Sequence, residues 1–324
     1  MTRPLSESIR ADFPSNGRNA ADPLSGPGSG DRLHWVDVLK LAPLMALSHG
    51  RREVTVALLD GPVDVSHPGL ATGRIVEIAS RPPGTCAGSG DSACTHGTLV
   101  AGILIASRDS SVPGICPGCT LLVRPVFPAS VTGGTPWPAA APEALAAAIA
   151  EAIDAGARLI NLSLALVRPS PRAERTIAAA LDYAVKRGAL VIAAAGNQGI
   201  PGNSVITRHQ GVIPVTACDA RGQPLSRSTL GPSIGRHGLA APGDRVVSLA
   251  AGGGTLLASG TSVAAPLVTG TMALLWSEFP ATPAARLKYA VTRSYGPARR
   301  AVTPPLLDAS AAHRFMATTA AGRR

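Results

Sequence analysis

Four polar residues have the side-chain types that attack on a peptide bond requires: Asp60, His96, Asn197 and Ser262. A serine hydroxyl is a weak nucleophile until an imidazole removes its proton, and a carboxylate fixes the tautomer of that imidazole. The tetrahedral oxyanion needs hydrogen-bond donors, for which the Asn197 amide and the Ser262 backbone N–H are candidates. We therefore predict acyl transfer in which Ser262 attacks, His96 acts as base and then as acid, and Asp60 orients His96.

Ser262 lies where an apolar helix is predicted to begin. Apolar residues at helical spacing follow it from Val268 to Trp276. Because Pro266 has no backbone N–H, the carbonyl of Ser262, four residues earlier, loses its helical partner. The free N–H groups of a helix start can also receive negative charge. Taken alone, Gly260-Thr261-Ser262 is more typical of the N-cap of a core helix, so the catalytic interpretation depends on the residues upstream.

The other three residues follow predicted strands or open a predicted helix. Asp60 ends a strand over 54–59, Asn197 follows a strand over 189–195, and His96 precedes a helix over 99–106. Strands and helices alternate along the chain, which favours parallel pairing with helices on both faces. We therefore predict an α/β protein with a three-layer α/β/α fold and a mostly parallel central sheet. Functional groups gather at the carboxyl ends of such strands.

A single large domain accounts for most of the 324 residues. Residues 1–31 are rich in Pro, Gly and Ser without periodicity, so we expect them to be disordered. The folded domain is predicted over 32–315 and a disordered tail over 316–324. Further helices are predicted over 33–42, 143–154, 172–187, 263–278 and 283–293, and further strands over 121–124, 158–164, 212–217 and 246–249.

The composition argues against a membrane-spanning protein and against a nucleic-acid-binding protein. The chain is 45% hydrophobic and has no run of about 18 apolar residues, so no membrane span is predicted. The formal net charge of +10 comes from scattered arginines, and aromatic residues are only 3%, so we expect no nucleic-acid partner. Residues 1–32 lack the apolar core of a secretory signal, which predicts a cytoplasmic protein.

The five cysteines cannot all pair with one another. In a reducing compartment we expect free thiols, with Cys218 a buried small side chain. Two alternatives remain open. Cys86 and Cys94 bracket a Gly/Ser loop and could form a disulfide, whereas Cys116 and Cys119 have the spacing of half a zinc site.

A series of short motifs resembles the subtilisin-type serine proteases, in that family's order of Asp, His and Ser. The motifs lie at 56–61, 95–102, 160–164, 193–197, 240–243 and 260–266. This resemblance covers residues 50–312 and implies a subtilisin-like fold with Asp60, His96 and Ser262 as triad and Asn197 in the oxyanion hole. We further expect an extended peptide to add as a strand against Ser163, Leu164 and Ala165.

A narrower resemblance links residues 60–68 and 112–119 to the cyanobactin maturation proteases, which cut precursor peptides of ribosomal natural products. That group contains leader-removing hydrolases and macrocyclases, and the macrocyclases carry a helical insert between the Asp and His motifs. Here His96 follows Asp60 by only 36 residues, so the resemblance implies the leader-cleaving type.

The expected partner is therefore a peptide or precursor-protein substrate, with no cofactor required and no metal in the site. Asp64 could bind a structural calcium ion, as loops of the family often do, but the spacing of calcium loops is missing and a solvated or capping side chain is favoured. Calcium binding and oligomeric state stay open. Three alternatives remain: peptide ligation by the same triad, general proteolysis, and non-catalytic peptide binding.

Overall fold

The computed structural model describes residues 8–11, 34–78, 86, 90–127, 139–167, 170–293 and 301–321. The strands are β1 (Ser8–Ala11), β2 (Thr55–Asp60), β3 (Arg74–Glu77), β4 (Thr120–Pro125), β5 (Ala139–Ala140), β6 (Leu159–Leu162), β7 (Leu164–Val167), β8 (Leu190–Ala194), β9 (Val212–Cys218), β10 (Leu239–Pro242), β11 (Val246–Leu249) and β12 (Thr255–Ala258). The helices are α1 (His34–Val38), α2 (Ala42–Leu47), α3 (Ser92–Ile105), α4 (Pro142–Asp154), α5 (Pro171–Lys186), α6 (Val205–Arg208), α7 (Pro232–His237), α8 (Thr261–Glu278), α9 (Ala284–Arg293) and α10 (Ala309–Ala321).

Seven parallel strands form the central sheet, in the order β10-β9-β8-β6-β2-β4-β3. Strands β4, β6, β8 and β9 are buried along their whole length, as expected for parallel strands covered on both faces. From β2 the chain adds strands first on one side, through β3 and β4, and then on the other, from β6 onward. In open α/β sheets such a reversal point is where ligands bind, outside the carboxyl ends of the strands.

Helices cover both faces of this sheet. Leu58 belongs to the core that α3 and α8 cover, and its neighbour Leu59 belongs to the core that α4 and α5 cover. Helix α8 is buried from Thr261 to Ser277. The predicted three-layer α/β/α fold is confirmed. No helix in the described ranges is both long and apolar enough to cross a membrane.

The structure differs from the predicted boundaries at both ends of the chain. Residues 1–31 were expected to be disordered, but Ser8–Ala11 form β1 because their backbone pairs with two other strands. The tail over 316–324 was also expected to be disordered, but α10 continues to Ala321 and buries Met316 against the main core. Strand pairing between distant segments leaves no trace in local composition, which explains the first difference.

The cysteines divide into a bridged pair and three free thiols. Cys86 and Cys94 form a disulfide with their Cα atoms 5.2 Å apart, so the expectation of free thiols is wrong for this pair. It is confirmed for Cys116, Cys119 and Cys218, which are free and buried. A hydrogen bond with Cys119, reinforced by burial, raises the pKa of Cys116 well above its usual value. That thiol is therefore protonated and unreactive at neutral pH.

Candidate active site

Asp60 is the last residue of β2, at the reversal point of the sheet, and its side chain is fully buried. Its Oδ1 accepts a hydrogen bond from the Gly61 N–H at 2.7 Å. Its backbone carbonyl accepts a bond from the Val126 N–H, also at 2.7 Å. These bonds fix the carboxylate at the carboxyl edge of the sheet, where the strand pattern predicts functional groups.

His96 lies in the second turn of α3, whereas the sequence predicted a helix beginning at residue 99. The helix starts earlier because the side chain of Asp91 accepts hydrogen bonds from the N–H groups of Ala93 and Cys94. His96 is therefore held by a regular helix and is only 2% exposed.

The Nδ1 atom of His96 lies 2.6 Å from Asp60 Oδ1. An ionised carboxylate only accepts hydrogen bonds, so this contact is satisfied by the tautomer with its proton on Nδ1. In that tautomer Nε2 carries a lone pair and can accept a proton. The structure thus brings together the first two of the predicted catalytic residues in the arrangement that an oriented general base requires.

Two glycines allow β2 and α3 to approach closely enough for this contact. A Cβ atom on Gly61 would lie 2.0 Å from the carbonyl oxygen of Ala93, and one on Gly97 would lie 2.3 Å from that of Pro62. Neither position has room for a side chain. The backbones of the strand end and the helix therefore touch directly, which sets the distance from Asp60 to His96.

Ser262 occupies the first turn of α8, as predicted, and is fully buried. The preceding Gly260 has a φ of 141°, a conformation that favours glycine. Pro266 cannot donate to the Ser262 carbonyl, and that carbonyl instead accepts a hydrogen bond from Ser163 Oγ at 2.9 Å. A side chain from the neighbouring strand thus replaces the missing helical bond.

The bond from Ser163 to Ser262 is the end of a buried chain of hydrogen bonds. Thr269 Oγ1 lies 2.8 Å from Asn161 Oδ1, and Asn161 Nδ2 donates to Ser163 Oγ at 2.9 Å. All three side chains are fully buried. Thr269 was not predicted as part of the site, because a threonine inside an apolar helix carries no distinctive local signal. Together these residues fix the backbone that carries Ser262.

Asn197 follows β8 and reaches the same helix start. Its Oδ1 accepts a hydrogen bond from the Thr261 N–H at 3.0 Å, and a Cβ atom on Gly260 would lie 2.8 Å from its Nδ2. The amide is therefore packed against the two residues that precede Ser262. The structure places Asn197 beside Ser262, as a candidate oxyanion donor requires.

The predicted substrate-binding residues lie next to these groups. Ser163 directs its hydroxyl to the Ser262 carbonyl, and Leu164 and Ala165 begin β7. The sequence predicted that a bound peptide adds as a strand here. In the structure β7 pairs with β1 of the same chain, in antiparallel orientation. Strand β1 also pairs with β5, so it lies between two edges.

A cleft of about 200 Å³ opens between β7 and the loop after β8, with walls that include Leu164, Ala194, Ala195, Gln198, Ile200 and Thr229. Two polar side chains in these walls are hydrogen-bonded to each other: Thr229 Oγ1 donates to Gln198 Oε1 at 3.0 Å. Leu164 therefore belongs both to β7 and to one wall of this cleft.

The carboxylate of Asp64 accepts hydrogen bonds from two nearby loops. Its Oδ1 accepts hydrogen bonds from Ser66, and its Oδ2 accepts one from the Gly252 N–H at 2.8 Å. Burial raises the pKa of Asp64, but these hydrogen bonds outweigh it and hold the pKa below its usual value. Within the described ranges, no three His, Cys, Asp or Glu side chains are grouped as a metal site requires.

The chain is similar to known proteins over most of its length. The subtilase family (Peptidase S8) matches residues 51–314. The thermostable alkaline protease of Halalkalibacterium halodurans is 34% identical over 226 residues, which are 69% of this chain and 57% of that protein. The chain spans about half to three fifths of the length of the first curated relatives that it matches.

Two solved structures are similar over most of the chain. The patellamide maturation protease PatA has 32% identity and a TM-score of 0.71, covering 83% of this chain and 98% of that one. The prenylagaramide maturation protease PagA has 30% identity and a TM-score of 0.72, covering 85% and 97%. The resemblance found in the motifs at residues 60–68 and 112–119 is confirmed.

Proposed function

The chain belongs to the subtilase family of serine proteases, and from this premise we propose that Asp60, His96 and Ser262 form its catalytic triad. Ser262 attacks the scissile carbonyl, and His96 Nε2 takes the serine proton and passes it to the leaving amine. Asp60 holds the Nδ1–H and stabilises the imidazolium. The observation that supports this most directly is the buried contact of 2.6 Å between Asp60 Oδ1 and His96 Nδ1.

Two donors would stabilise the tetrahedral oxyanion, the Asn197 Nδ2–H and the Ser262 backbone N–H. The position of Asn197 against Gly260 and Thr261 supports this assignment. Because both donors are fixed before substrate arrives, they need no reorganisation as charge develops on the oxygen. Water then attacks the acyl-enzyme and regenerates the Ser262 hydroxyl.

The proposed substrate is a precursor peptide from which a leader is removed. Support comes from PatA and PagA, both named maturation proteases, at 30–32% identity over more than four fifths of this chain. An extended peptide would pair with β7, so that main-chain hydrogen bonds supply affinity and the adjoining cleft supplies selectivity. Hydrolysis is favoured over ligation because the interval between Asp60 and His96 is only 36 residues long.

The test combines active-site labelling with product analysis. A fluorophosphonate probe should label the full chain and fail to label the Ser262→Ala variant. Mass spectrometry of a digested peptide library should show linear products with one preferred cleavage site. An unlabelled full chain would overturn the triad. Products one water lighter than the linear fragments would indicate ligation, and cleavage at many unrelated sites would indicate a general protease.

A further inference from the structure

Helix α8 is joined to the extended segment that runs from β6 into β7 by two hydrogen bonds. In the first turn of the helix, the carbonyl of Ser262 accepts a bond from Ser163 Oγ at 2.9 Å. Two turns later, Thr269 Oγ1 donates to Asn161 Oδ1 at 2.8 Å. Asn161 Nδ2 donates to Ser163 Oγ at 2.9 Å, so the two contacts form one continuous chain of bonds.

The spacing of these residues explains why both contacts can form. Ser262 and Thr269 are seven residues apart, close to two helical turns, so they lie on one face of α8, separated by about 10 Å along its axis. Asn161 and Ser163 are two residues apart, so their side chains point to one face of the extended segment, separated by about 6.5 Å. Leu159, two residues before Asn161, belongs to the core that α8 covers. The polar groups therefore lie on the face of β6 that packs against α8.

The direction of the chain of bonds follows from the carbonyl that Pro266 leaves without a helical donor. Ser163 has one hydroxyl proton, and giving it to Asn161 would leave the buried Ser262 carbonyl unsatisfied. With that proton committed to the carbonyl, the Ser163 oxygen accepts from Asn161 Nδ2. The oxygen of the Asn161 amide then faces Thr269, which donates to it.

Stability alone does not account for these polar groups. Asn161, Ser163 and Thr269 are all fully buried. A buried hydrogen bond adds little net stability, and replacing both of its partners by apolar groups of the same shape can be nearly neutral. A hydrogen bond does add a fixed distance and direction. With one such contact α8 could pivot about it, whereas two contacts fix both its rotation and its shift along the strand.

We propose that Thr269 and Asn161 are positioning residues for the nucleophile, which act by fixing the rotation of α8. This inference rests on the proposed function, since it takes Ser262 as the nucleophile. His96 is carried by a different helix, so a rotation of α8 about the Ser163 contact would change the distance from the serine hydroxyl to the imidazole. Misplacement of the reacting groups lowers the rate of the chemical step without weakening substrate binding.

The first test compares two threonines of the same helix. Thr269 and Thr271 are both fully buried, and each donates to the carbonyl four residues earlier, at 3.1 Å and 2.8 Å. Thr269 differs by its further bond to Asn161. Thr269→Val should lower kcat about fivefold, the rate equivalent of one net hydrogen bond, and leave KM unchanged. Thr271→Val should keep the kcat of the unmodified chain, and equal kcat values for the two valine variants would overturn the proposal.

Thr269→Ser separates the effect of the hydroxyl from that of side-chain shape. Serine keeps the hydroxyl and loses a methyl group, whereas valine keeps the branched shape and loses the hydroxyl. Thr269→Ser should therefore have the kcat of the unmodified chain. A kcat as low as that of Thr269→Val would show that the bond to Asn161 does not set the rate, and the proposal would be wrong.

A double variant separates positioning from stability. Thr269→Val leaves the buried Asn161 oxygen without its donor, so it should lower the midpoint of urea unfolding. Adding Asn161→Leu removes the unsatisfied group, and the midpoint should recover. The kcat should stay low, because an apolar pair does not fix the rotation of α8. Recovery of kcat together with the midpoint would assign the whole effect to stability and contradict the proposal.

Fluorophosphonate labelling distinguishes a failure of this inference from a failure of the proposed function. The probe reacts with the nucleophile without pairing with β7, so Thr269→Val should be labelled more slowly than Thr271→Val, by the same factor as kcat. If the unmodified chain is not labelled, the triad is wrong and this inference falls with it. If the unmodified chain and both variants are labelled at one rate, the triad stands and the inference is wrong.

Discussion

Asp60 Oδ1 lies 2.6 Å from His96 Nδ1, with side-chain exposures of 0% and 2%. The contact is made between a strand end and the second turn of a helix, and glycines at 61 and 97 let the two backbones touch. Since regular elements are less mobile than loops, the imidazole is held in one orientation. The position of this pair depends on packing across the whole end of the sheet.

Asp60→Asn should lower kcat by about 10⁴-fold with little change in KM, the loss known for this substitution in a serine protease triad. The amide N–H of asparagine can donate to Nδ1 and so favour the tautomer with its proton on Nε2, and the uncharged amide stabilises the imidazolium less than a carboxylate does. Steady-state kinetics with a peptide substrate measures the effect. Asp109→Asn, at an exposed carboxylate, is the matched control and should keep full activity.

Asn197→Ala should lower kcat by about 10²–10³-fold, the magnitude known for removing one such donor in a subtilisin, and change KM far less. Asn197→Asp separates two roles of this side chain. A carboxylate can still accept the hydrogen bond from the Thr261 N–H, but it has no N–H to donate to an oxyanion. Both variants should therefore lose kcat. Near-normal kcat in Asn197→Asp would assign Asn197 to holding Thr261 alone.

Ser163→Ala should leave the buried Ser262 carbonyl without its donor, lower the free energy of unfolding by about 1–3 kcal/mol, and reduce kcat about tenfold. Ser163 is a positioning residue in this interpretation. Adding Pro266→Ala restores a backbone N–H four residues after Ser262, so the double variant should recover stability relative to Ser163→Ala. Urea unfolding measures the stability of both variants, and steady-state kinetics measures their kcat and KM. A raised KM with unchanged kcat would instead assign the hydroxyl to substrate binding.

Much of the fold and site was predictable because its signals are local. A buried parallel strand is a short apolar run, and a candidate functional residue at or just beyond its end, as at Asp60 and Asn197, can be found without knowledge of the rest of the chain. The loss of a helical bond at Ser262 also follows from Pro266 alone. The donor that replaces it, Ser163, is 99 residues away, and only the folded structure reveals it.

The features that were missed depend on distant pairing. The four residues of β1 alternate polar and apolar side chains, but so short a run does not predict a strand by itself, and β1 forms because it pairs with Ala139–Ala140 and Leu164–Val167. The bridge between Cys86 and Cys94 depends on the folded position of Cys86 against α3, which the spacing of the two cysteines does not fix.

The stability of the protein should fall as the pH drops from about 6.5 to about 4. Burial, with a smaller contribution from the positive charge of Lys288, lowers the pKa of His237 to about 4. The unfolded chain, with an ordinary histidine, binds a proton from about pH 6.5 downward. Between these values the unfolded state holds more protons than the folded state, so acid favours unfolding. Below about pH 4 His237 is protonated in both states, so this group no longer changes the free energy of unfolding with pH.

His237→Gln, which carries no titrating group, should remove that contribution. Because His237 is only partly buried, we expect the difference in unfolding free energy between pH 7 and pH 4 to shrink by about 1–2 kcal/mol relative to the unmodified chain. Urea unfolding at the two pH values measures it. His49→Gln, at an exposed histidine, should leave the pH dependence unchanged. The same pH dependence in both variants would show that His237 titrates alike in the folded and unfolded chain.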